Sequence, residues 1–267
     1  VKAEDIKNGK LKYKKKTLLC AIPTTAGSGA EVTENAVLYI DKIKYSVENI
    51  KLKPDYFFLI PDLIINSHFK LKASCGFDAI AQGIESILSL KSNSKSLDYS
   101  RKSLSYSFSN FSEFLKNPNS ENTYKMCLAA NLSGKAISIS RTTAPHALSY
   151  PFTSFFNISH GHAVSLTLNK FILFNYKNAN KVKNNFDLKK RYKMLFELSK
   201  TNSISDFCNY LNALKKEAKL EGSLKKLNIN LDTNYEKIIS GVNPERLKNN
   251  PIEINQNDIK SILGSIN

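Results

Sequence analysis

Short apolar runs separated by turn-forming residues characterise the first quarter of the chain. Residues 17–23 (TLLCAIP) are mostly apolar and end at a proline, and the following TTAGSGAEVT indicates a polar loop. Two further runs, AVLYI at 36–40 and YFFLI at 56–60, have the β-branched and aromatic composition of strands. We therefore predict that residues 1–66 form a small, strand-rich part of an α/β unit.

Helical periodicity replaces this pattern from Asn66 onward. Apolar residues recur at three- and four-residue spacing in four segments, at 71–90, 100–116, 123–140 and 160–175. The same spacing predicts further helices at about 188–200, 204–218, 232–240 and 256–265. A Lys- and Asn-rich stretch at 176–190 indicates an exposed loop. The predicted fold class is an α/β part followed by a mostly α-helical domain at 67–267.

Composition indicates a folded globular protein. With 267 residues, 42% of them hydrophobic, the chain can bury a sizeable core. It contains no apolar run of about 18 residues that could span a bilayer, and the basic N-terminus lacks the apolar stretch of a secretory signal. The four cysteines show neither CxxC spacing nor the density of a disulfide scaffold. We therefore expect a reduced, cytoplasmic protein that makes no membrane contacts.

The formal charge of +16 raises nucleic-acid binding as an alternative, because clustered Lys and Arg neutralise phosphates. The charge is mostly Lys dispersed along polar helical faces, and no RNP-like, zinc-finger or helix-turn-helix pattern accompanies it. A general Lys and Asn bias explains it more simply. We expect no nucleic-acid partner, and attraction of an anionic cofactor or substrate as a secondary consequence.

Four polar residues are candidates to share one divalent cation: Asp78, Gln82, His146 and His160. Within a helix, Asp78 and Gln82 lie four residues apart and point from the same face. A carboxylate, an amide and two imidazoles suit iron(II), zinc or a similar cation. Taken singly, each has an ordinary alternative as a helix cap, a surface residue or a core histidine. The chain has only four histidines, and three fall within seventeen residues, which favours the metal site.

The segment between the two candidate histidines predicts a turn. Pro151 and Asn157 lie between His146 and His160, so we expect two elements that bring the imidazoles together from different directions. Gly161 directly after His160 permits a close approach of the backbone to the site.

The loop at 24–31 (TTAGSGAE) offers hydroxyls and glycines directly after a predicted strand. Glycines let the backbone approach an anion, and hydroxyls can hydrogen-bond to phosphate or amide groups. The loop has neither the Gly-Lys-Ser/Thr of a P-loop nor GxGxxG, so an ordinary polar turn is the alternative.

Four ordered motifs carry a family resemblance: IPTTAGSGAEVT, GFDAIAQGIES, the span from His146 to HGHAV, and VNPERLKNNP. From about residue 17 to its C-terminus the chain resembles the iron-containing (group III) alcohol dehydrogenase family. TTAPHALSY with HGHAV, and Gln82 in place of histidine, are most similar to the phosphonoacetaldehyde reductase branch. The resemblance implies a dehydroquinate synthase-like architecture, in which a nucleotide-binding α/β domain precedes a helical, metal-binding domain.

The same resemblance implies a metal-dependent, NAD(P)-linked alcohol dehydrogenase or aldehyde reductase. By position, the metal ligands are Asp78, Gln82, His146 and His160, with Fe2+ favoured and Zn2+ as the alternative. The implied contacts with NAD or NADP are Thr24, Thr25, Ser28, Asn35 and Lys44. On the branch resemblance, the substrate would be phosphonoacetaldehyde, reduced to 2-hydroxyethylphosphonate.

Tyr150 and His162 are the implied catalytic residues. Tyr150 lies one helical turn beyond His146, which would bring its hydroxyl beside the metal, at a position where many relatives carry a histidine near the nicotinamide. His162 would replace that proton relay or tune His160 from behind. Gln82 offers a neutral amide oxygen, a poorer ligand than imidazole for a borderline cation, so metal affinity should be lower than with histidine.

The family's GGGS-type turn, which binds pyrophosphate at a helix N-terminus, is expected upstream of residue 1. The chain is therefore expected to be a C-terminal portion of such an enzyme. This leaves two hypotheses for the chain itself: an aldehyde reductase acting on a small, anionic substrate, or an inactive remnant that at most binds metal or a partner subunit. The oligomeric state is open, with a homodimer as one alternative.

Overall fold

The computed structural model describes residues 3–7, 15, 17–40, 43–182, 186–242 and 244–266. The helices of these residues are α1 Ala3–Lys7, α2 Asp62–Ile65, α3 Phe69–Leu88, α4 Ser94–Lys116, α5 Ser120–Ser140, α6 Ala144–Phe156, α7 His160–Lys177, α8 Leu188–Ser199, α9 Ile204–Glu217, α10 Leu231–Ser240, α11 Pro244–Leu247 and α12 Gln256–Gly264. The strands are β1 Cys20–Ala21, β2 Asn35–Ile40, β3 Ile43–Glu48 and β4 Tyr56–Phe57. The predicted fold class, a strand-containing part followed by a mostly helical one, is confirmed.

The strands form two separate pairs. β1 and β4 are parallel, with Cys20 opposite Tyr56, and β2 and β3 are antiparallel, with Ile40 opposite Ile43. The prediction for 36–40 is confirmed, whereas the runs at 17–23 and 56–60 form only two strand residues each. β3 was not predicted. Apolar runs like these are typical of strands covered on both faces, yet Tyr56 is 58% exposed beside its short partner.

Helix α3 lies at the centre of the helical part and packs against α4, α5 and α7. From Ala73 to Leu88 every residue except Cys75 is buried, and Phe77, Ile80, Ile84 and Ile87 are fully inaccessible. A helix that is buried on all sides occupies a core position. Polar groups on α3 therefore sit inside the protein, where they need partners.

Helix α7 belongs to both hydrophobic clusters of the described chain. Val164 and Leu168 pack into the cluster around α3, whereas Leu166 and Phe171 pack into the cluster that includes α6, α10 and α12. Burial on both sides fixes α7 between α3 and α6. The three helices that carry the candidate metal ligands are thus held by two cores at once.

The predicted turn between α6 and α7 is present. Pro151 lies within α6, and the helix ends at Asn157, which adopts the left-handed conformation (φ 55°). The chain reverses there, and α7 begins at His160. The break that the sequence predicts is therefore made by Asn157 and not by the proline.

The later helices match their predicted positions closely. α8, α9, α10 and α12 begin and end within one residue of the prediction. The predicted loop at 176–190 is partly helical: α7 extends to Lys177, a 3-10 turn covers Ala179–Lys181, and residues 183–185 lie outside the described chain. Among the described helices, none combines the length and apolar character that crossing a membrane requires.

Gly161 allows α7 to touch α3. A Cβ atom at this position would lie 1.9 Å from the Ser74 carbonyl oxygen and 3.0 Å from the Asp78 Cβ. Only a glycine permits this approach, which brings the start of α7, and with it His160, next to Asp78.

We expect Gly161→Ala to lower the free energy of unfolding by about 1–3 kcal/mol, because the methyl group overpacks a backbone contact. Denaturant unfolding followed by circular dichroism measures this. Gly264→Ala is the matched control, since a Cβ there would meet nothing within 4 Å. Equal stability of the two variants would contradict the close contact between α7 and α3.

Candidate metal centre

One face of α3 carries three buried polar side chains. Asp78, Gln82 and Glu85 lie at positions i, i+4 and i+7, and they are 4%, 3% and 1% exposed. This spacing places them in a row along a helix face. The row faces the start of α6 and the start of α7, which supply the histidines.

Glu85 organises the N-terminus of α6. Its Oε1 accepts hydrogen bonds from the Thr143 backbone N–H (3.1 Å), the Thr143 hydroxyl (2.8 Å) and the His146 backbone N–H (3.3 Å). Its Oε2 makes a short contact with Nδ1 of the His146 ring. Because a carboxylate oxygen can only accept, Nδ1 carries the proton, and the lone pair of Nε2 is directed away from Glu85.

Three candidate metal ligands, Asp78, His146 and His160, converge on one point. The Nε2 atoms of His146 and His160 lie 3.2 Å and 4.0 Å from Oδ1 of Asp78. One ligand atom from each residue lies within 4.8 Å of the other two, and the imidazole rings meet edge to face at 5.3 Å. A cation between these atoms would contact Asp78 on α3, His146 on α6 and His160 on α7.

The electrostatics of the site favour a positive charge. Burial alone would lower the pKa of His146, but the charges of Glu85 and Asp78 and their hydrogen bonds outweigh it and raise the pKa to about 9. The surroundings of His146 therefore favour a positive charge at this point. A divalent ion at Nε2 can take that role in place of a proton.

The donor set fits a divalent metal. A carboxylate with two imidazoles is a common ligand set for iron(II) and zinc, and three protein ligands leave coordination positions for substrate. Cys75, the nearest thiol on α3, is not prepared as a ligand: burial and the charge of Asp78 raise its pKa to about 11. The residues present are thus consistent with an oxygen and nitrogen site.

Gln82 lies beside Asp78 but directs its amide nitrogen to it. Nε2 of Gln82 donates to Oδ2 of Asp78 (3.1 Å), and Oε1 accepts from the Ser133 hydroxyl (3.0 Å). The same hydroxyl lies 2.9 Å from the Ala130 carbonyl, so it can accept from a rotated Gln82 amide while donating to that carbonyl. The function of Gln82 as a fourth metal ligand stays a prediction, and it requires this rotation of the amide.

A cavity of about 400 Å³ opens beside the three ligands. Ser28 and Asn35 line it, together with Tyr150, whose ring stacks on that of His160 (6.2 Å between centroids, 15° between planes). The cavity therefore runs from the metal-ligating side chains to the loop after β1 and the start of β2. Its lining also includes two arginines, Arg141 and Arg246.

The remaining predicted cofactor residues lie elsewhere. Thr24 is exposed, and the Thr25 hydroxyl hydrogen-bonds to the Cys75 thiol. Lys44 is in β3, but its side chain lies outside the described residues. Their proposed contacts with a dinucleotide stay predictions.

His162 is not directed into the cavity. Its Nε2 donates to the Glu221 backbone carbonyl (2.7 Å), and its backbone N–H donates to the Ser74 hydroxyl (3.3 Å). These contacts fix the start of α7 against its neighbours. With Nε2 engaged by this carbonyl, a proton relay through the His162 ring stays a prediction.

Sequence reasoning missed Glu85, Arg141 and Arg246. For Glu85 a signal was present, since it continues the row of Asp78 and Gln82 at i+7 on an otherwise apolar helix. Arg246 lies within the VNPERLKNNP motif, so a signal was present there too, but the motif does not show that its side chain reaches the cavity. Arg141 has no local signal, because its position at the cavity depends on contacts between distant segments.

Comparisons with protein families agree over nearly the whole chain. A family model described as "Fe-containing alcohol dehydrogenase family, C-terminal" matches residues 72–266, and one described as "Iron-containing alcohol dehydrogenase" matches residues 2–61.

Two curated proteins show the level of similarity. Phosphonoacetaldehyde reductase of Streptomyces viridochromogenes is 31% identical over 159 residues, which are 58% of this chain and 40% of that protein. The 1-propanol dehydrogenase PduQ of Salmonella typhimurium is 31% identical over 158 residues, which are 58% of this chain and 43% of that protein. The chain thus matches less than half the length of these relatives.

Solved structures share the fold. Sulfoacetaldehyde reductase from Bifidobacterium kashiwanohense, in complex with NAD+, aligns with a TM-score of 0.89 and 26% identity over 99% of this chain and 68% of that chain. An iron-containing alcohol dehydrogenase from Thermotoga maritima aligns with a TM-score of 0.82 and 25% identity over 100% of this chain and 68% of that chain.

We expect Glu85→Gln to weaken metal binding by about 10- to 100-fold. An amide NH2 facing Nδ1 would shift the His146 proton to Nε2, the nitrogen that faces Asp78, so binding would require its removal. Competition titration of Zn2+ against a chromogenic chelator measures the affinity. Glu113→Gln, an exposed change on α4, is the control. Equal affinities of these two variants would contradict the orienting role of Glu85.

Proposed function

This chain belongs to the Fe-containing alcohol dehydrogenase family, and we propose that it is a metal-dependent, NAD(P)-linked oxidoreductase that interconverts a small aldehyde and its alcohol. The observation that carries the proposal is the convergence of Asp78, His146 and His160 beside a cavity of about 400 Å³. When bound, a divalent cation supplies Lewis acidity at the aldehyde oxygen, and a reduced nicotinamide supplies the hydride. Fe2+ and Zn2+ both suit the ligand set.

The protein's own contribution begins with orientation. Glu85 holds the His146 ring so that Nε2 faces Asp78, and the backbone contact at Gly161 brings His160 to the same point. Groups fixed in this way need little rearrangement when charge develops on the substrate oxygen, which is how a preorganised site lowers a barrier.

Reduction also needs a proton. The aldehyde carbon gains a hydride, and its oxygen must take one proton to give the alcohol. Tyr150 lines the cavity beside His160 and is the candidate donor. Burial raises the pKa of its phenol although the charge of Arg246 lowers it, so the hydroxyl keeps its proton at neutral pH and can donate it or a hydrogen bond.

The dinucleotide is assigned to the other end of the cavity. Ser28 and Asn35 line that end, and Gly29 in the left-handed conformation (φ 61°) packs against Gly134 of α5, so the loop lies close to the helix. We propose that Ser28 and Asn35 contact NAD or NADP inside the cavity, and that Thr24 and Thr25 of the same loop contact the part of the dinucleotide that extends beyond it. The structure of the sulfoacetaldehyde reductase with NAD+ supports this class of cofactor.

Phosphonoacetaldehyde is the proposed substrate, with 2-hydroxyethylphosphonate as its product. The support is the similarity to phosphonoacetaldehyde reductase at 31% identity. Sulfoacetaldehyde reductase, at 26% identity over almost the whole chain, is named for another two-carbon aldehyde with an anionic head group.

The direct test loads the purified chain with Fe2+ or Zn2+ without oxygen and follows NADH or NADPH absorbance with phosphonoacetaldehyde. We expect one 2-hydroxyethylphosphonate per NAD(P)H oxidised, and loss of the reaction with a chelator. Asp78→Asn should abolish it because the site loses its carboxylate ligand. Asp62→Asn, an exposed change on α2, is the control.

If no reaction is seen, calorimetric titration with NADH and NADPH shows whether the chain fails to bind the dinucleotide or fails to reduce the aldehyde. A chain that binds metal and dinucleotide but reduces no short aldehyde would overturn the proposed reaction. A chain that binds metal but neither dinucleotide would support the alternative, a metal-binding domain without activity.

We expect Tyr150→Phe to lower kcat by about 100-fold, because positioned proton donors contribute at least this much, with a smaller change in KM. Steady-state kinetics of the metal-loaded protein measure both constants. Tyr124→Phe, which changes an exposed ring on α5, is the control. An unchanged kcat in Tyr150→Phe would exclude the phenol as donor.

A further inference from the structure

Arg246 brings a second charged group to the cavity that the metal-ligating residues share. It lies in α11, far along the chain from Asp78, and lines the cavity together with Arg141 at the end of α5. The metal and hydride chemistry proposed above uses neither arginine. These two residues, here called the arginine wall, favour a ligand with negative charge.

Contacts with two cavity residues hold the Arg246 side chain. Nη1 donates a short hydrogen bond to the Thr142 hydroxyl, and the guanidinium carbon lies 5.8 Å from the centroid of the Tyr150 ring. A guanidinium over an aromatic face is a favourable cation–π arrangement. Its five N–H donors let it hold Thr142 and also contact a ligand.

The segment that carries Arg246 is anchored to the core. The Asn249 side chain, 3% exposed, donates to the Thr142 carbonyl (3.1 Å). The buried amides of Asn250 and Asn175 exchange hydrogen bonds of 2.8 Å and 3.1 Å. Arg246 is therefore presented from a fixed backbone, which limits the entropy lost when it binds a ligand.

Arg141, which also lines the cavity, has an unusual backbone conformation. Its backbone has φ 61° and ψ 172°, a conformation that residues with a side chain rarely adopt, and Nη2 pairs with Glu48 and lies 3.8 Å from Glu34. Burial lowers the pKa of Arg141, Glu34 raises it, and the charge of Arg246 lowers it again. Because both arginines line the same cavity as Glu34, an anion bound there would be attracted by two guanidinium groups and repelled by one carboxylate.

One aromatic ring connects the metal-ligating residues with Arg246. The Tyr150 ring centroid lies 6.2 Å from that of His160 and 5.8 Å from the Arg246 guanidinium carbon, and all three residues line the cavity. A ligand that contacts both His160 and Arg246 would therefore lie beside the Tyr150 ring.

We propose that Arg246, assisted by Arg141, binds the anionic head group of the substrate, so that the cavity selects two-carbon aldehydes with a tetrahedral anion, a phosphonate or a sulfonate. The inference rests on the proposed function and names the residue that would give it specificity. A guanidinium suits this task because its planar fork can donate two parallel hydrogen bonds to such a group.

The test compares metal-loaded wild type with Arg246→Gln and Arg246→Lys. Arg101→Gln, an exposed change on α4, removes the same charge away from the cavity and is the control. Calorimetry measures the Kd of 2-hydroxyethylphosphonate and 2-hydroxyethylsulfonate, and oxidation assays measure KM for both and for the neutral 1-propanol.

For Arg246→Gln we expect about a 10- to 100-fold rise in Kd and KM for the two anions and a smaller change for 1-propanol. The Kd and KM values of Arg246→Lys for the two anions should lie between those of wild type and Arg246→Gln, since lysine keeps the charge without the planar fork. The ratio of the two anions in wild type identifies phosphonate or sulfonate as the preferred head group.

An equal change for all three alcohols, or a rise only in the KM of the dinucleotide, would overturn the inference. Arg246-dependent anion binding without turnover would keep it and overturn the proposed reaction. Turnover of 1-propanol with no Arg246-dependent preference for anions would keep the proposed reaction and overturn this inference.

Discussion

The carboxylate of Glu85 is the contact on which the arrangement of the site depends. Thr143, the residue before α6, provides no side-chain cap, and Glu85 of α3 accepts the hydrogen bonds of the first turn instead. A negative charge is favourable at this positive end of a helix. Because the same carboxylate contacts Nδ1 of His146, the position of α6, the tautomer of the imidazole and the direction of its free nitrogen are determined together.

The location of the site follows from packing as much as from ligands. α3 belongs to one hydrophobic cluster, α6 to another, and α7 to both. Asp78, His146 and His160 lie where these clusters meet, and the backbone contact at Gly161 sets their separation. On one side the cavity reaches the loop after β1, and on another the arginine wall. This division suits a reaction in which cofactor, carbonyl and head group each need a separate contact.

Much of this could be predicted from the sequence, because apolar periodicity and turn residues are local signals. The helices are of this kind, whereas the cluster of Asp78, His146 and His160 was predicted from the ligand types and from the family motifs that contain them. Strand lengths were overestimated, since pairing depends on distant partners that an apolar run does not reveal. Glu85 resembled an ordinary helical glutamate, and Arg246 was only one letter of a family motif, until the fold placed Glu85 against His146 and Arg246 at the cavity. Buried charge is a tertiary property, so sequence patterns alone do not identify it.

The most direct test of this account is the metal-edge X-ray absorption spectrum of the chain loaded with Zn2+ or Fe2+, combined with the metal content per chain. We expect one ion per chain, with imidazole and carboxylate scatterers and no sulfur, and loss of the imidazole signal when His146 and His160 are both replaced by alanine. A shell containing sulfur at about 2.3 Å from zinc, or an unchanged spectrum in that double variant, would contradict it.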